Sequence, residues 1–193
     1  MLIDPLLSGS RNIIANLIVP GNTILDIGCG TGELVFYLSR QAKKAVGLDK
    51  NALILKYARI KKKRLKIENV EFISKDANDA DFFSETHYGY AVFSMVLHQF
   101  SLAEANQILN SIKKLTKYII LADFTYPLPE NVIGWGARFI ERIAGGKHYL
   151  HFREYQKQGG LKYFLDYHQL AIIDNRIGGL GAIRVIKAVP KHF

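Results

Sequence analysis

The strongest chemical signal in this chain of 193 residues is the segment Ile24-Leu25-Asp26-Ile27-Gly28-Cys29-Gly30-Thr31-Gly32. Glycines at alternate positions let the backbone turn sharply out of a strand, and they let a ligand approach main-chain atoms with no Cβ in the way. A dinucleotide loop would read GxGxxG, with its third glycine packing the helix against the strand and the helix N-terminus receiving a pyrophosphate. Position 33 is Glu33, so that spacing is not met. A glutamate in the first helical turn repels a pyrophosphate but tolerates a ligand carrying a sulfonium and an ammonium group. The loop therefore suits an uncharged or cationic ligand. Cys29 lies between two of the glycines, yet no base motif accompanies it, and thiolate chemistry needs a pKa-lowering neighbourhood. No nucleophilic role is expected for it.

Three acids, Asp26, Asp49 and Asp76, fall at the ends of successive apolar runs. Each alone has a structural use: Asp26 as a brace for the turn, Asp49 as the cap of a helix starting near Asn51, and Asp76 as a loop residue. Together they mark the C-terminal edge of a set of strands, which is where open α/β sheets bind ligands. Candidate proton acceptors are His98 and Tyr126, with His148, Tyr149 and His151 further on. A side chain of these types can take a proton from a reacting hydroxyl or acidic carbon.

The elements that must hold these residues follow from the apolar spacing. Leu6, Leu7, Ile13, Ile14, Leu17 and Ile18 recur at helical intervals before Pro20 and Gly21. Strands are expected over residues 23–27, 45–48, 70–74, 88–94 and 118–122. Helices are expected over 52–65, with Leu53, Ile54, Tyr57 and Ile60 on one side, and over 102–115. A turn-prone acidic stretch with Asp79 and Asp81 precedes the fourth strand. Strands alternating with helices, and apolar along their length, predict a parallel sheet covered on both faces. Pro127 and Pro129 then open a stretch, 127–149, that reads as an insertion with a helix over 132–143. Residues 151–170 read as helical with a break at Gly159 and Gly160, and 171–177 and 180–189 as a closing hairpin across Gly178 and Gly179. The fold class is α/β: a three-layer Rossmann-like sandwich in one domain, with a mostly parallel seven-stranded sheet ending in an antiparallel hairpin.

The pattern Asp26-x-Gly28-x-Gly30-x-Gly32 resembles the first motif of class I S-adenosylmethionine-dependent methyltransferases. The resemblance covers nearly the whole chain, closing hairpin included. It implies a cofactor, S-adenosylmethionine, held by Asp26, Gly28, Cys29, Gly30 and Gly32. It implies Asp49 with Lys50 at the ribose hydroxyls, Asp76 and Ala77 at the adenine, and Ser94, Met95 and His98 near the methionine portion. For His98 the structural alternative to a base is packing over the adenosine or a hydrogen bond to backbone. The fourth motif lacks the Asn/Asp-Pro-Pro-Tyr/Phe sequence that the family uses on planar amino groups, which argues against a base or amide N-methylase. The chain is most similar to the small-molecule branch, the type 11 or quinone-methyltransferase-like group. There, the stretch between the fifth strand and the next long helix forms a lid. In this chain Val132, Ile133, Trp135, Phe139, Ile140 and Ile143 would either pack into the core or roof an apolar acceptor.

Composition bounds these readings. With 49% apolar and 22% charged residues, the chain matches ordinary folded domains. Its longest apolar runs fall far short of the ~20 residues that span a bilayer. The start of the chain does not read as a signal peptide, and cytoplasm is the expected location. A single cysteine gives no disulfide and no CxxC metal framework, so no metal site is expected. The net charge of +9 is concentrated partly in Lys61, Lys62, Lys63, Arg64 and Lys66, and a solvated surface accounts for it. A small-molecule methyl acceptor is the expected partner. An RNA-associated or non-catalytic cofactor-binding module and a nicotinamide-dependent oxidoreductase are the alternatives.

Overall fold

The structure is a computed structural model that describes residues 3–79 and 87–190, with side chains described from Ser8 onward. Asp81 and the side chains of Leu6 and Leu7 lie outside the described residues. The elements run α1 (Ile3–Leu17), β1 (Thr23–Ile27), α2 (Glu33–Leu38), β2 (Lys44–Asp49), α3 (Ala52–Leu65), β3 (Val70–Ser74), β4 (Tyr88–Ser94), α4 (Leu102–Ile112), β5 (Thr116–Phe124), α5 (Val132–Ala144), α6 (Gly146–Lys157), α7 (Leu161–Tyr167), β6 (Leu170–Gly178) and β7 (Ile183–Pro190). The seven strands form one sheet in the order β3-β2-β1-β4-β5-β7-β6. The first five are parallel, and β7 pairs antiparallel with both β5 and β6.

Side chains that alternate along each strand divide the core into two layers. Ile24, Tyr90, Val92, Ile120 and Ala122 pack under α1 and α2 with Ile14, Leu17, Leu34 and Leu38. Leu25, Ile27, Ala91, Phe93, Ile119 and Leu121 pack on the other face with α4, α6 and α7. Because β1 and β4 are covered on both sides, their sequences are continuous apolar runs, interrupted by Asp26 and by Gly89. The strand order reverses direction between β1 and β4, so the loops after β1 and β4 diverge and leave a crevice at the C-terminal edge.

Helix caps follow the sequence closely. Asn51 accepts hydrogen bonds from the Leu53 and Ile54 N–H groups, and Asn131 does the same for Ile133 and Gly134. Ser101 and Glu104 form a reciprocal capping box on α4.

The structure fixes the phase of two helices: it reverses the face expected for α3 and decides between the two open for α5. In α3, Leu53, Tyr57 and Ile60 are exposed, and Leu55 and Ala58 are the buried seam. The small Ala58 lets this helix lie close to β3, while Arg59 donates to the Phe72 carbonyl oxygen (2.9 Å) and Lys61 pairs with Glu33, fixing its rotation. In α5 the stripe of Val132, Trp135, Phe139 and Ile143 is exposed, Trp135 by 68%, whereas Glu141 is 6% exposed. Of the six apolar residues expected on one face of this helix, only Ile133 packs against the core, and Ile140 is exposed with the other four. Moreover, α6 begins at Gly146, inside the stretch the sequence assigned to the insertion.

Candidate functional site

The loop after β1 is bound to the end of β2 through its backbone. The Gly28 and Cys29 N–H groups both donate to the Leu48 carbonyl oxygen, at 2.8 and 3.1 Å. Asp49 completes the strap: one carboxylate oxygen accepts from the Gly30 N–H (2.9 Å) and the other from the Asn51 N–H (2.8 Å). Asp49 thus braces the loop while Asn51, not Asp49, caps α3. Each carboxylate oxygen keeps a second lone pair for a ligand. Gly28 has φ +70°, and a Cβ there would lie 2.4 Å from Val96 Cγ2, so conformation and space both require glycine. Gly32 serves packing: its Cβ would meet the Phe72 ring at 2.5 Å.

Two cavities, of about 120 and about 200 Å³, open along this edge and share Gly28. Asp49, Lys50, Asp76 and Ala77 line the first. Asp26, Cys29, Gly30, Ser94 and Met95 line the second, together with Arg11 from α1. Asp76 is held in a tight turn by the Asn78 N–H, 2.9 Å from its Oδ1. Met95 has φ +55°, an unusual conformation for a bulky residue; its N–H donates to the Ala122 carbonyl oxygen at 2.7 Å. This bend turns the chain out of β4 toward the second cavity.

The electrostatics favour a cation. Burial, aided by the nearby Asp49 charge, pushes the Asp26 carboxyl up to about 8. Burial, and then the Asp26 and Asp49 charges, raise the Cys29 thiol well above its ordinary value. Cys29 is therefore a thiol of low reactivity. A Cβ on Gly30 would meet nothing within 4 Å, so the space over that residue is open to a ligand. Acids facing both cavities, a main-chain cradle between them and Arg11 at one end fit a ligand that combines a cation, a carboxylate, a diol and an adenine.

The structure does not bring every candidate to this cleft. His98 lies in a one-turn 3₁₀ segment, Leu97–Gln99, and is only 2% exposed. Its Nδ1 lies 2.6 Å from Asp123 Oδ1, and its N–H is 3.3 Å from Asp123 Oδ2. Burial lowers its pKa, but the Asp123 and Glu141 carboxylates outweigh that and raise it overall. The His98 ring lines neither cavity; it sits between the ends of β4 and β5 and the α5–α6 pair. Tyr126 is half exposed and lines a separate cavity of about 370 Å³ between β5, α7 and the closing hairpin. His148 faces Glu141, His151 Nδ1 lies 2.8 Å from the Gln99 carbonyl oxygen, and Tyr149 stacks near Phe152.

Sequence reasoning missed Arg11, Asp123 and Glu141. An aspartate at the end of the apolar run of β5 was a usable signal for Asp123. Arg11 and Glu141 look like ordinary surface charges on amphipathic helices until the packing is known.

Comparison with known proteins points to one family. The chain matches the family described as methyltransferase domain over residues 18–157. An uncharacterized methyltransferase of Synechocystis is 27% identical over 100 residues, which covers 52% of this chain and 44% of that protein. A Methanosarcina acetivorans protein named "Probable ribosomal RNA small subunit methyltransferase A" is 40% identical over 74 residues, 37% of this chain and 26% of that protein. The chain spans less than half the length of these curated relatives. Among solved structures, magnesium protoporphyrin IX methyltransferase of Synechocystis PCC 6803 with bound SAH superposes with a TM-score of 0.65 at 18% identity, covering 97% of this chain and 86% of that one. With its seven-stranded sheet, its ligand edge and a family match across more than half its length, the chain belongs to the methyltransferase domain family.

Proposed function

We propose that this chain is an S-adenosylmethionine-dependent methyltransferase acting on a small, partly apolar acceptor by direct in-line transfer. The observation that carries the reading is the pair of cavities on either side of Gly28, with Asp49 and Asp76 at one and Asp26 at the other. When bound, S-adenosylmethionine supplies a methyl group already activated on a sulfonium, so the chain's work is alignment and exclusion of water. Asp49 would accept from the ribose hydroxyls while holding the Gly30 N–H. Asp76 and the Ala77 backbone would take the adenine edge. Asp26, its proton released to solvent, would pair with the ammonium, and Arg11 would pair with the carboxylate. The Ser94–Met95 backbone would lie against the methionine portion.

The acceptor side of the reading rests on α5. Glu141 lies 3.6 Å from His98 Nε2, which keeps this helix beside the end of β4, and its exposed Trp135 and Phe139 offer apolar surface there. With His98 sealed beneath α5, alignment carries the transfer.

Isothermal titration with S-adenosylmethionine and with NADH tests the cofactor. Saturable binding of the first and none of the second is expected; the reverse sinks the reading. A polyanionic acceptor would bind with affinity falling steeply with salt, a slope of about 0.9 per duplex phosphate contacted. Replacing Lys62, Lys63 and Arg64 by Gln should leave methylation of the acceptor nearly unchanged. Lys61 is kept, because it pairs with Glu33. Loss of activity with intact cofactor binding would replace the small molecule by a nucleic acid.

A further inference from the structure

Beneath the α5–α6 pair the described residues contain a cluster to which the methyl-transfer reading gives no chemical role. His98 from the turn after β4, Glu141 from α5 and His148 from α6 bring two imidazole nitrogens and a carboxylate oxygen to within 4.8 Å of one another. Glu141 Oε2 and His148 Nδ1 lie 3.0 Å apart. They are nonetheless misaligned for a hydrogen bond, and both are buried with no other hydrogen-bond partner. Glu141 Oε1 lies 3.6 Å from His98 Nε2, also beyond hydrogen-bond reach. A carboxylate buried to 6% exposure with an orphaned oxygen is costly to leave as it stands.

We propose that His98 Nε2, Glu141 and His148 Nδ1 form a binding site for a single divalent transition-metal ion of the zinc type, which fastens α5 and α6 to the ends of β4 and β5. The Glu141 carboxylate reaches both imidazoles, through Oε2 at 3.0 Å from His148 Nδ1 and through Oε1 at 3.6 Å from His98 Nε2, each separation close to the about 3.3 Å between neighbouring ligand atoms of a tetrahedral ion with bonds of about 2.0–2.1 Å. The His98 and His148 rings stand at 90° to each other with centroids 5.7 Å apart, so two imidazoles reach one point from different directions. Two nitrogens and one carboxylate suit zinc, iron or nickel and not magnesium or calcium, which take oxygen donors.

The surroundings match a metal-bound histidine. Asp123 is fully buried and holds His98 Nδ1 at 2.6 Å. That contact leaves the Nε2 lone pair directed away from Asp123 and toward Glu141, as in the carboxylate–histidine–metal arrangement. Asp123 is itself fixed by the Phe124 N–H, 2.7 Å from Oδ1. The His148 side chain retains 30% exposure, so the cluster lies one side chain from solvent.

The test uses untagged full-length protein stripped with a chelator and titrated with Zn(II) by calorimetry and with Co(II) by visible absorption. One equivalent of each should bind, with the intense d–d absorption of a four-coordinate Co(II) site. His148→Ala, the least buried of the three changes, should remove stoichiometric binding while far-UV circular dichroism and cofactor affinity persist. Asp123→Asn should weaken Zn(II) binding about 10 to 100-fold. His151→Ala, a control at the neighbouring imidazole, should bind as wild type does. Failure of wild type to bind one equivalent, or equal binding by His148→Ala, overturns the proposal and leaves the cluster an ionic contact only.

Discussion

The loop edge over β1 and β2 and the α5–α6 pair over β4 and β5 treat polarity in opposite ways. At the loop edge a single acid among the described residues, Asp26, is buried, and Asp49 and Asp76 face cavities open to a ligand. Over β4 and β5 the charges are inside: Asp123, His98 and Glu141 are buried while Trp135, Phe139 and Ile143 are exposed. Backbone hydrogen bonds hold the first region, with the Leu48 carbonyl oxygen and the Asp49 carboxylate fixing the loop regardless of what covers it. Side-chain contacts hold the second. The loop edge is thus held by contacts of its own backbone, whereas the position of α5 depends on a few buried polar groups.

Substitutions can break that contrast, and Gly28→Ala should have the largest effect. A left-handed backbone costs a residue with a Cβ roughly 1–2 kcal/mol, and displacing Val96 adds roughly 1–3 kcal/mol. Denaturant unfolding should thus show a loss of about 2–5 kcal/mol, with cofactor binding lost too. A fully stable Gly28→Ala protein would mean that the loop is not rigid.

Asp49→Ala should follow. Hydrogen bonds to a charged acceptor contribute about 1.5–3 kcal/mol, so cofactor affinity should fall roughly 10 to 150-fold by calorimetry. Asp49→Asn should recover part of that, since one amide oxygen can still accept from the Gly30 N–H. An unchanged dissociation constant in Asp49→Ala would remove this residue from the site.

Asp26 sharpens the comparison through pH. Its carboxyl is raised to about 8 in the folded chain against 3.8 ordinarily. Its contribution to stability is therefore complete below about pH 4, declines as pH rises toward 8 and is flat above. Asp26→Asn should accordingly gain stability over wild type between pH 4 and pH 8 in thermal melts. Cofactor binding has the opposite sign: pairing with the ammonium requires the ionised carboxylate. Wild-type affinity should rise with pH by up to about tenfold per unit below pH 8, with proton release visible as a buffer-dependent heat. A flat profile would exclude Asp26 as the ammonium partner.

The smallest stability effect is expected from Trp135→Ser with Phe139→Ser. Both side chains are exposed, so unfolding free energy should change by no more than about 0.5 kcal/mol. Cofactor affinity should hold while the acceptor KM rises. A loss of several kcal/mol would show that the stripe is covered in solution.

Legibility in the sequence followed the same division. Between Thr23 and Ser94 the bounds of β1, α3, β3 and β4 were read correctly, because these elements are short apolar runs punctuated by glycine, asparagine and charge. In α3 and α5, by contrast, helical spacing located the helix but not the side that faces inward. Hydrophobicity alone points Leu53 and Tyr57 into a core and leaves Trp135 open between core and surface; the small Ala58, the Arg59 and Lys61 contacts and the buried Glu141 turn all three outward.

The sequence by itself determined the alternation of strands and helices, the closing hairpin, and the placing of Asp26, Asp49 and Asp76 at consecutive strand ends. These are local properties, set by periodicity, by glycine and by chain order. Only the tertiary structure decided that Asp49 straps Gly30, that Arg11 faces the same cavity as Asp26, that Tyr126 lines a different one, and that His98, Asp123, Glu141 and His148 converge. Those residues lie on separate elements, up to 50 positions apart between His98 and His148. No spacing rule joins such positions, because packing of the sheet against α5 and α6 brings them together.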